Sequence, residues 1–245
     1  MKNEKRISYI ICLLVFGLGV LIAVALVGAS ALAEYEAVLF DSGARADERL
    51  STLYCPALIS SRETSGVAIS LSNPSEYEVN PVVKARISSG SALFIREEVQ
   101  QVFMKPGERQ TLRWPITAED AAYHRLILVR IMVNRSYPLS SRTATCGIVL
   151  LDFAGLTGIQ MQVGAILLSA IAIIGGGLGW SRINAYKGGR KTELGNGLRL
   201  LGGIALAGTL TTFTSWWFAS LLCAIACLLL GVILLGRYGA DVDQV

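Results

Sequence analysis

The hydrophobic and polar positions of this 245-residue chain form two kinds of pattern. Three long runs contain no charged residue and cover residues 7–33, 153–181 and 200–236. Between the first two runs, residues 53–152 hold short stretches in which every second residue is apolar. A run of about 20 apolar residues can cross a bilayer as a helix, and a period of two is typical of strands with one buried face. The pattern therefore predicts a membrane part and a β-rich part.

The first uncharged run fits two kinds of N-terminal signal. It follows a basic start, residues 1–6, and ends in Ala31-Leu32-Ala33 before Glu34, which fits a signal-peptide cleavage site. The apolar region of a cleaved signal is usually about 7–15 residues long. The longer run favours an uncleaved signal anchor, transmembrane helix 1, over residues 1–33, with a cleavable signal peptide as the alternative. Either signal exports the residues that follow.

The exported segment begins with a tether, residues 34–51, which is mixed, acidic and without a sustained period. Residues 67–72, 83–88 and 112–116 then alternate, and residues 126–133 and 145–151 supply two further strands. Asn73-Pro74-Ser75 is typical of a turn, and Lys105-Pro106-Gly107-Glu108 has the Pro and Gly of a type II turn. About seven short strands predict an antiparallel β-sandwich over residues 52–152.

The membrane pattern returns after the predicted sandwich. Residues 153–181 form transmembrane helix 2 in this interpretation, and a basic loop, residues 182–199, follows. The run 200–236 would be roughly 55 Å long as one helix, against a hydrocarbon core of about 30 Å, so it predicts helices 3 and 4 with a turn at residues 211–217. With four spans, the basic start, the basic loop and the tail 237–245 are cytoplasmic, and residues 34–152 are extracytoplasmic.

Two turn sequences in the β-rich part support a resemblance. Ser72-Asn73-Pro74, followed by Pro106-Gly107-Glu108 and then Leu112 and Trp114, resembles the bacterial immunoglobulin-like surface and adhesion domains over residues 52–152. The resemblance implies an immunoglobulin-like sandwich. The cysteine pair, Cys55 and Cys146, departs from antibody domains because it lies nearer the ends of the domain, and it is expected to staple those ends. The predicted fold class is a membrane protein with this all-β sandwich inserted between transmembrane helix 1 and a three-helix transmembrane segment.

Composition agrees with the membrane assignment and excludes a nucleic-acid partner. Hydrophobic residues make up 53% of the chain and charged residues 16%. Residues 34–158 are almost neutral, with 13 Lys and Arg against 14 Asp and Glu, so the net charge of +4 arises beside the uncharged runs. Lipid is therefore the partner that the charge distribution predicts.

The five cysteines divide into two groups. Cys12, Cys223 and Cys227 lie inside uncharged runs, where a thiol behaves as a small hydrophobic group. Cys55 and Cys146 are isolated on the exported side, without a further Cys or His at ligand spacing, which favours a disulfide over a metal site. Closing a loop of this length would stabilise the domain by about 4–5 kcal/mol in the chain-entropy model.

Small residues recur at helical spacing in the C-terminal runs. A Cys pair at this spacing can hold a metal or form a redox pair, but small residues on one helix face more often allow close helix packing in lipid. The predicted packing residues, within this chain or against another subunit, are Gly175, Gly179, Gly203, Ala207, Ala219, Cys223, Cys227 and Gly231.

Motifs for catalysis are weak. The single histidine, His124, lies between predicted strands without a nucleophile-elbow pattern, and Asn134-Arg135-Ser136 is a glycosylation acceptor only in a eukaryotic secretory setting. The predicted spans contain no ionisable residue, although Thr209, Thr211 and Thr212 could line a neutral path. We therefore predict no catalytic, cofactor-binding or metal-binding residue.

The layout favours a non-enzymatic, multi-pass membrane protein that binds another membrane or extracytoplasmic protein, or serves as an accessory subunit of an assembly. A transporter or channel component is the alternative, and a hydrolase acting through the outer domain is a third. Specificity is expected in the outer domain, in the loops around residues 96–98 and 119–125 and in the strand charges Lys84, Arg86, Arg113 and Arg130.

Overall fold

The structure is a computed structural model that describes residues 2–41, 46–184, 192–212 and 217–242. The described helices are α1 (Lys2–Leu39), α2 (Gly158–Asn184), α3 (Thr192–Thr211) and α4 (Trp217–Val242). The described strands are β1 (Glu48–Arg49), β2 (Leu53–Tyr54), β3 (Leu58–Ile59), β4 (Ser65–Ser72), β5 (Val82–Ser89), β6 (Ser91–Gln101), β7 (Arg109–Ile116), β8 (Leu126–Val133) and β9 (Arg142–Leu150). The chain divides into a helical unit, residues 1–31 with 162–245, and a sandwich unit, Leu32–Met161.

The sandwich unit contains two sheets. The larger has the strand order β1-β9-β8-β5-β6, with β3 also beside β9, and the smaller has the order β2-β4-β7. Alternate residues of β4, β5, β7, β8 and β9 are buried in one apolar cluster to which both sheets contribute, including Ile69 and Trp114 from the smaller sheet and Ile87, Val129 and Ile148 from the larger. The β-rich region expected from the period of two is therefore present.

The two turn sequences have a clear physical basis. Asn73 is buried and its side-chain amide donates to the carbonyl oxygens of Tyr77, Met104 and Lys105, at 2.8, 3.2 and 3.1 Å. Gly107 has a φ of +73°, which a glycine adopts without steric cost at the third position of a type II turn. These two turns hold the ends of β4 and β7 together.

Helix boundaries differ from those expected. Helix α1 continues to Leu39, six residues into the predicted tether, because its last turns pack on the larger sheet. Helix α2 begins at Gly158 and not at residue 153, since Thr157 and Gln160 form a reciprocal capping box at its start. Helix α3 begins at Thr192, inside the predicted loop 182–199. Residues 185–191 of that loop, and residues 213–216 of the predicted outer turn, lie outside the described residues.

The helical unit packs through an apolar cluster and has an apolar exterior. Phe16, Ile173, Leu201 and Cys227 are buried in the cluster, while large aliphatic side chains on α1, α2 and α4 are exposed. Among the described helices, two are long and apolar enough to cross a membrane, through Ile10–Leu39 and Gly158–Arg182. The apolar part of α4, Phe218–Leu234, is shorter, and the third and fourth spans stay predictions.

Candidate interaction surface

Strand β6 is an open edge of the larger sheet. It is paired with β5 on one side, and no other described strand pairs with its second side. Four large apolar side chains on β6 and the segment after it are exposed: Phe94 (71%), Ile95, Val99 and Phe103 (72%). The other end of the sheet is different, because β1 and β3 both pair with β9. A long, partly apolar edge strand is a surface on which another strand can add.

Charged residues occupy the core-side face of β6. Arg96 is opposite Ile87 of β5, whose side chain is buried in the core. Its guanidinium donates to the carbonyl oxygen of Pro115 at 2.8 Å and forms ion pairs with Asp120 at 3.2 Å and Glu98 at 3.1 Å. Arg96 therefore closes the opening between the two sheets at this edge. Segment 96–98, expected in a binding loop, is instead the middle of a strand.

The last turns of α1 lie on the outer face of the larger sheet. A Cβ added to Gly147 in β9 would overlap the carbonyl group of Ala33 and would lie 2.7 Å from the Glu34 nitrogen. Ala37 and Phe40 are buried with Leu128 of β8. Glycine is therefore required at residue 147, because the helix backbone occupies the space of its missing side chain.

Two arginines and an aspartate hold the end of this helix. Arg130 is buried, and it donates to the Val38 carbonyl oxygen in the last turn at 3.3 Å, which is favourable beside the negative end of the helix dipole. Burial lowers the pKa of Arg130, and the Asp41 carboxylate opposes that shift. Hydrogen bonds to Asp41 and Glu97 raise the pKa of Arg86. The strand charges at Arg86 and Arg130 therefore serve the helix attachment.

Helix α2 is also attached to the sandwich at its first residue. A Cβ on Gly158 would overlap the carbonyl group of Leu58 in β3 and would lie 2.8 Å from the Ile59 Cα. The Gly158 nitrogen donates to a carboxylate oxygen of Glu63 at 2.7 Å, and a negative charge is favourable at a helix N-terminus. Within the sandwich unit, both helix ends are therefore fixed by backbone contacts.

The structure joins Cys55 and Cys146 by a disulfide, with a Cα–Cα distance of 6.5 Å. Cys55 follows β2 of the smaller sheet, and Cys146 lies in the middle of β9 of the larger sheet. The expectation that the pair staples the ends of the domain is therefore corrected, since the bond connects the two sheets near the centre of β9.

The predicted helix-packing residues fall into two groups. Cys227 is buried, Cys223 is half-buried against Gly208, and Gly179 lies against Cys12. The remaining predicted residues are exposed, half-exposed or next to open space: Gly175, Gly203, Ala207, Ala219 and Gly231. Helices approach closely instead at glycines that the prediction omitted, which are Gly19, Gly176, Gly202 and Gly208. The sequence predicts that small residues mediate helix packing, but which helix face packs depends on the positions of the neighbouring helices.

The remaining polar candidates are engaged in local contacts or exposed. The hydroxyls of Thr209, Thr211 and Thr212 donate to carbonyl oxygens three residues earlier, at 2.7–2.8 Å. His124 is exposed in the turn before β8, with a φ of +56°. Within the described residues, His, Cys, Asp and Glu side chains form no group of three that could hold a metal ion.

Neither a protein-family model nor a curated protein matches the chain. Solved structures give β-rich matches to part of it. A cycloisomaltooligosaccharide glucanotransferase from Paenibacillus sp. is 14% identical with a TM-score of 0.33, and the match covers 45% of this chain and 15% of that enzyme. A β-glucosidase from Listeria innocua is 17% identical with a TM-score of 0.29, covering 42% of this chain and 15% of that enzyme.

A smaller protein also matches in structure. The superoxide reductase (neelaredoxin) from Ignicoccus hospitalis is 8% identical with a TM-score of 0.29, covering 40% of this chain and 78% of that chain. All three TM-scores are below 0.5, so the matches assign neither a family nor an activity to this chain. The immunoglobulin-like resemblance stays a prediction.

Proposed function

We propose that the chain is a non-enzymatic, multi-pass membrane protein that presents an extracytoplasmic immunoglobulin-like sandwich as a binding module or accessory subunit. The observation that carries the binding function is the open edge of β6, with Phe94, Ile95, Val99 and Phe103 exposed on it and beside it. Exposed apolar side chains grouped on one segment are typical of interaction sites.

The membrane location is supported by the outward-facing side chains of the helices. Leu14, Leu21, Ile171 and Val232 are each more than 60% exposed, and such a surface is stable in lipid and unfavourable in water. The disulfide supports export of the sandwich, because disulfides persist in oxidising compartments. In this proposal the basic residues beside the spans are cytoplasmic.

The immunoglobulin-like class is supported by the order of the strands. The long strands change sheet along the chain: β4 lies in the smaller sheet, β5 and β6 in the larger, β7 in the smaller, and β8 and β9 in the larger. Such alternation of antiparallel long strands between two sheets is the Greek-key connection of immunoglobulin-like sandwiches.

Retention of the anchor helix is supported by Gly147. A glycine weakens the interior of a strand unless another backbone approaches it closely, and here the approaching backbone is that of Ala33 and Glu34. Cleavage after Ala33 would remove half of this contact. We therefore expect the intact mass of the mature protein to include residues 2–33, and an N-terminus at Glu34 would contradict retention.

Cysteine accessibility tests the topology in a variant with Cys12, Cys223 and Cys227 replaced by serine. An impermeant maleimide applied to intact cells should label Glu76→Cys, whose parent residue is exposed in the sandwich unit. Lys187→Cys should react only after lysis. Labelling of Lys187→Cys in intact cells would overturn the four-span topology.

Photo-crosslinking tests the binding surface. A photoreactive amino acid at Val99 on β6 should give a specific adduct in cells, and the same group at Thr111, an exposed position on β7, is the matched control. Adducts from Thr111 but not from Val99 would refute β6 as the binding surface. If neither position gives an adduct while the protein is folded and inserted, the binding proposal fails.

A further inference from the structure

We propose that strand β6 binds the same strand of a second copy of this chain, antiparallel, with Glu97 on the two-fold axis. The inference deepens the proposed function, on which it rests, by naming the occupant of the β6 edge. The paired strands would join the larger sheets of two copies into one continuous sheet.

The faces of β6 limit the register of such a pairing. Residues 95, 97 and 99 are opposite Ser88, Arg86 and Lys84 of β5 and belong to the outer face. Residues 96 and 98 are opposite Ile87 and Ala85 and belong to the core-side face. A one-residue slip between strands exchanges the two faces, so a continuous sheet requires even residues opposite even residues and odd opposite odd.

Charge selects one of the allowed antiparallel registers. With Glu97 on the axis, Arg96 is opposite Glu98 of the second copy, and Ile95 is opposite Val99 of the second copy, each pair occurring twice by symmetry. Opposite charges and apolar pairs across strands are each favourable by about 0.2–1 kcal/mol. Centring the pairing on Arg96 or on Glu98 would also place two like charges on the axis, but neither register would pair Arg96 with a glutamate of the second copy.

The central pair brings two glutamates together, and each has its own counter-charge. Glu97 accepts a hydrogen bond from the Arg86 side chain at 2.7 Å, and Arg86 also pairs with Asp41. The axis would therefore be flanked by an arginine on each side, which offsets the repulsion between the two carboxylates.

The same charges disfavour a foreign strand. Charged residues on an edge strand normally prevent pairing with unrelated strands, because the partner leaves them uncompensated. Five consecutive residues, from Ile95 to Val99, read apolar, basic, acidic, acidic, apolar. When two copies of this segment run antiparallel with Glu97 opposite Glu97, the other pairs join an apolar residue to an apolar residue and a basic residue to an acidic one. A second copy is therefore the partner that the segment fits.

Disulfide crosslinking in membranes tests the register, using the full chain with Cys12, Cys223 and Cys227 replaced by serine. Directly opposite residues in an antiparallel pair have Cα atoms about 4.5 or 5.5 Å apart, within the range of a disulfide. Glu97→Cys should therefore link to itself. Ile95→Cys should not, because its symmetry mate would be four residues along the strand, roughly 13 Å away.

Mixed copies give the sharper result. Co-expressed chains carrying Ile95→Cys and Val99→Cys, with different tags, should link to each other, although neither links to itself. Self-linking of Ile95→Cys without the mixed link would indicate a parallel or shifted contact and would overturn the proposed pairing. Thr111→Cys on the outer face of β7 is the control for random collision.

A charge reversal tests the pairing independently. Glu98→Lys would place a lysine opposite Arg96 of the second copy, so Glu97→Cys with Glu98→Lys should lose most of the self-link, by roughly tenfold. Glu119→Lys, at an exposed position outside β6, should not. Retention of the Cys55–Cys146 disulfide in both variants, seen by peptide mapping, distinguishes a lost contact from misfolding.

Failure of this inference is separable from failure of the proposed function. If Glu97→Cys does not link to itself while the photoreactive group at Val99 gives an adduct with a different protein, the homotypic contact is refuted and the binding function stands. If Val99 gives no adduct and Glu97→Cys no link, both are refuted.

Discussion

Replacing Gly147 by alanine should detach the end of helix α1 from the sandwich. The added Cβ would overlap the Ala33 carbonyl group and lie 2.7 Å from the Glu34 nitrogen, well inside the 3.4 Å at which ordinary contact begins. Both obstacles are backbone, so no side chain can rotate away and the helix itself must move. Overpacking of this kind costs roughly 1–3 kcal/mol or more, a substantial part of the 5–15 kcal/mol that typically stabilises a domain.

Thermal unfolding and hydrogen exchange on the purified full chain measure this effect. Gly147→Ala should lower the unfolding temperature by about 2–12 °C, since 1 kcal/mol corresponds to roughly 2–4 °C in a chain of this size. Amides of residues 33–40 should exchange faster. Gly66→Ala is the control, because its Cβ would meet only the Trp114 carbonyl oxygen, at 3.5 Å. Equal stability and equal protection in the two variants would refute the proposed helix attachment.

Further predictions concern the disulfide, the acid stability and the helix packing. Replacing Cys55 and Cys146 together by serine should lower the free energy of unfolding by about 4–5 kcal/mol, whereas two free thiols in protein isolated without reductant would show that no such bond forms. Hydrogen bonds from Ser141 lower the pKa of Asp47 below its ordinary value of 3.8, so Asp47 stabilises the fold above that pH and less as pH falls below it. In denaturant titrations between pH 2 and 5, Asp47→Asn should therefore lose less stability than the parent protein. Gly176→Leu should reduce accumulation in membranes, because its Cβ would lie 2.7 Å from the Phe16 nitrogen, whereas Gly175→Leu, with open space beside it, should not; the opposite ranking would contradict the packing described here.

Local sequence patterns predicted the strands and turns, because strands and turns depend mainly on residues that are close in sequence. Alternation located β4, β5 and β7, the apolar run 126–133 located β8, and Gly107 marked the turn before β7. The extension of α1 was missed because residues 34–39 carry two glutamates and a tyrosine. A readable signal was nevertheless present, since Ala33, Ala37 and Phe40 recur at i, i+4 and i+7 and are the buried face of that extension.

The candidate surface was less accessible to sequence reasoning. From the sequence, Arg96 and Glu98 were predicted to lie in a loop. Only the pairing with β5 identifies them as residues of an edge strand. The choice between Gly175 and Gly176 likewise depends on where α1 crosses α2, which is a tertiary property. Strand order and helix crossing are set by contacts between residues that are distant in sequence, so a local sequence pattern does not predict them.

Strand β9 gathers three attachments within a few residues. Cys146 links it to the smaller sheet, Gly147 bears the end of α1, and Val149 pairs with Leu58, whose backbone lies against the start of α2. A pulling force applied along α1 or α2 would therefore act on β9 in both cases, and the disulfide would transmit it to the smaller sheet. When the protein is pulled, β9 should be the last strand of the sandwich unit to unfold. Reduction of the disulfide should lower the force at which the sandwich unit unfolds.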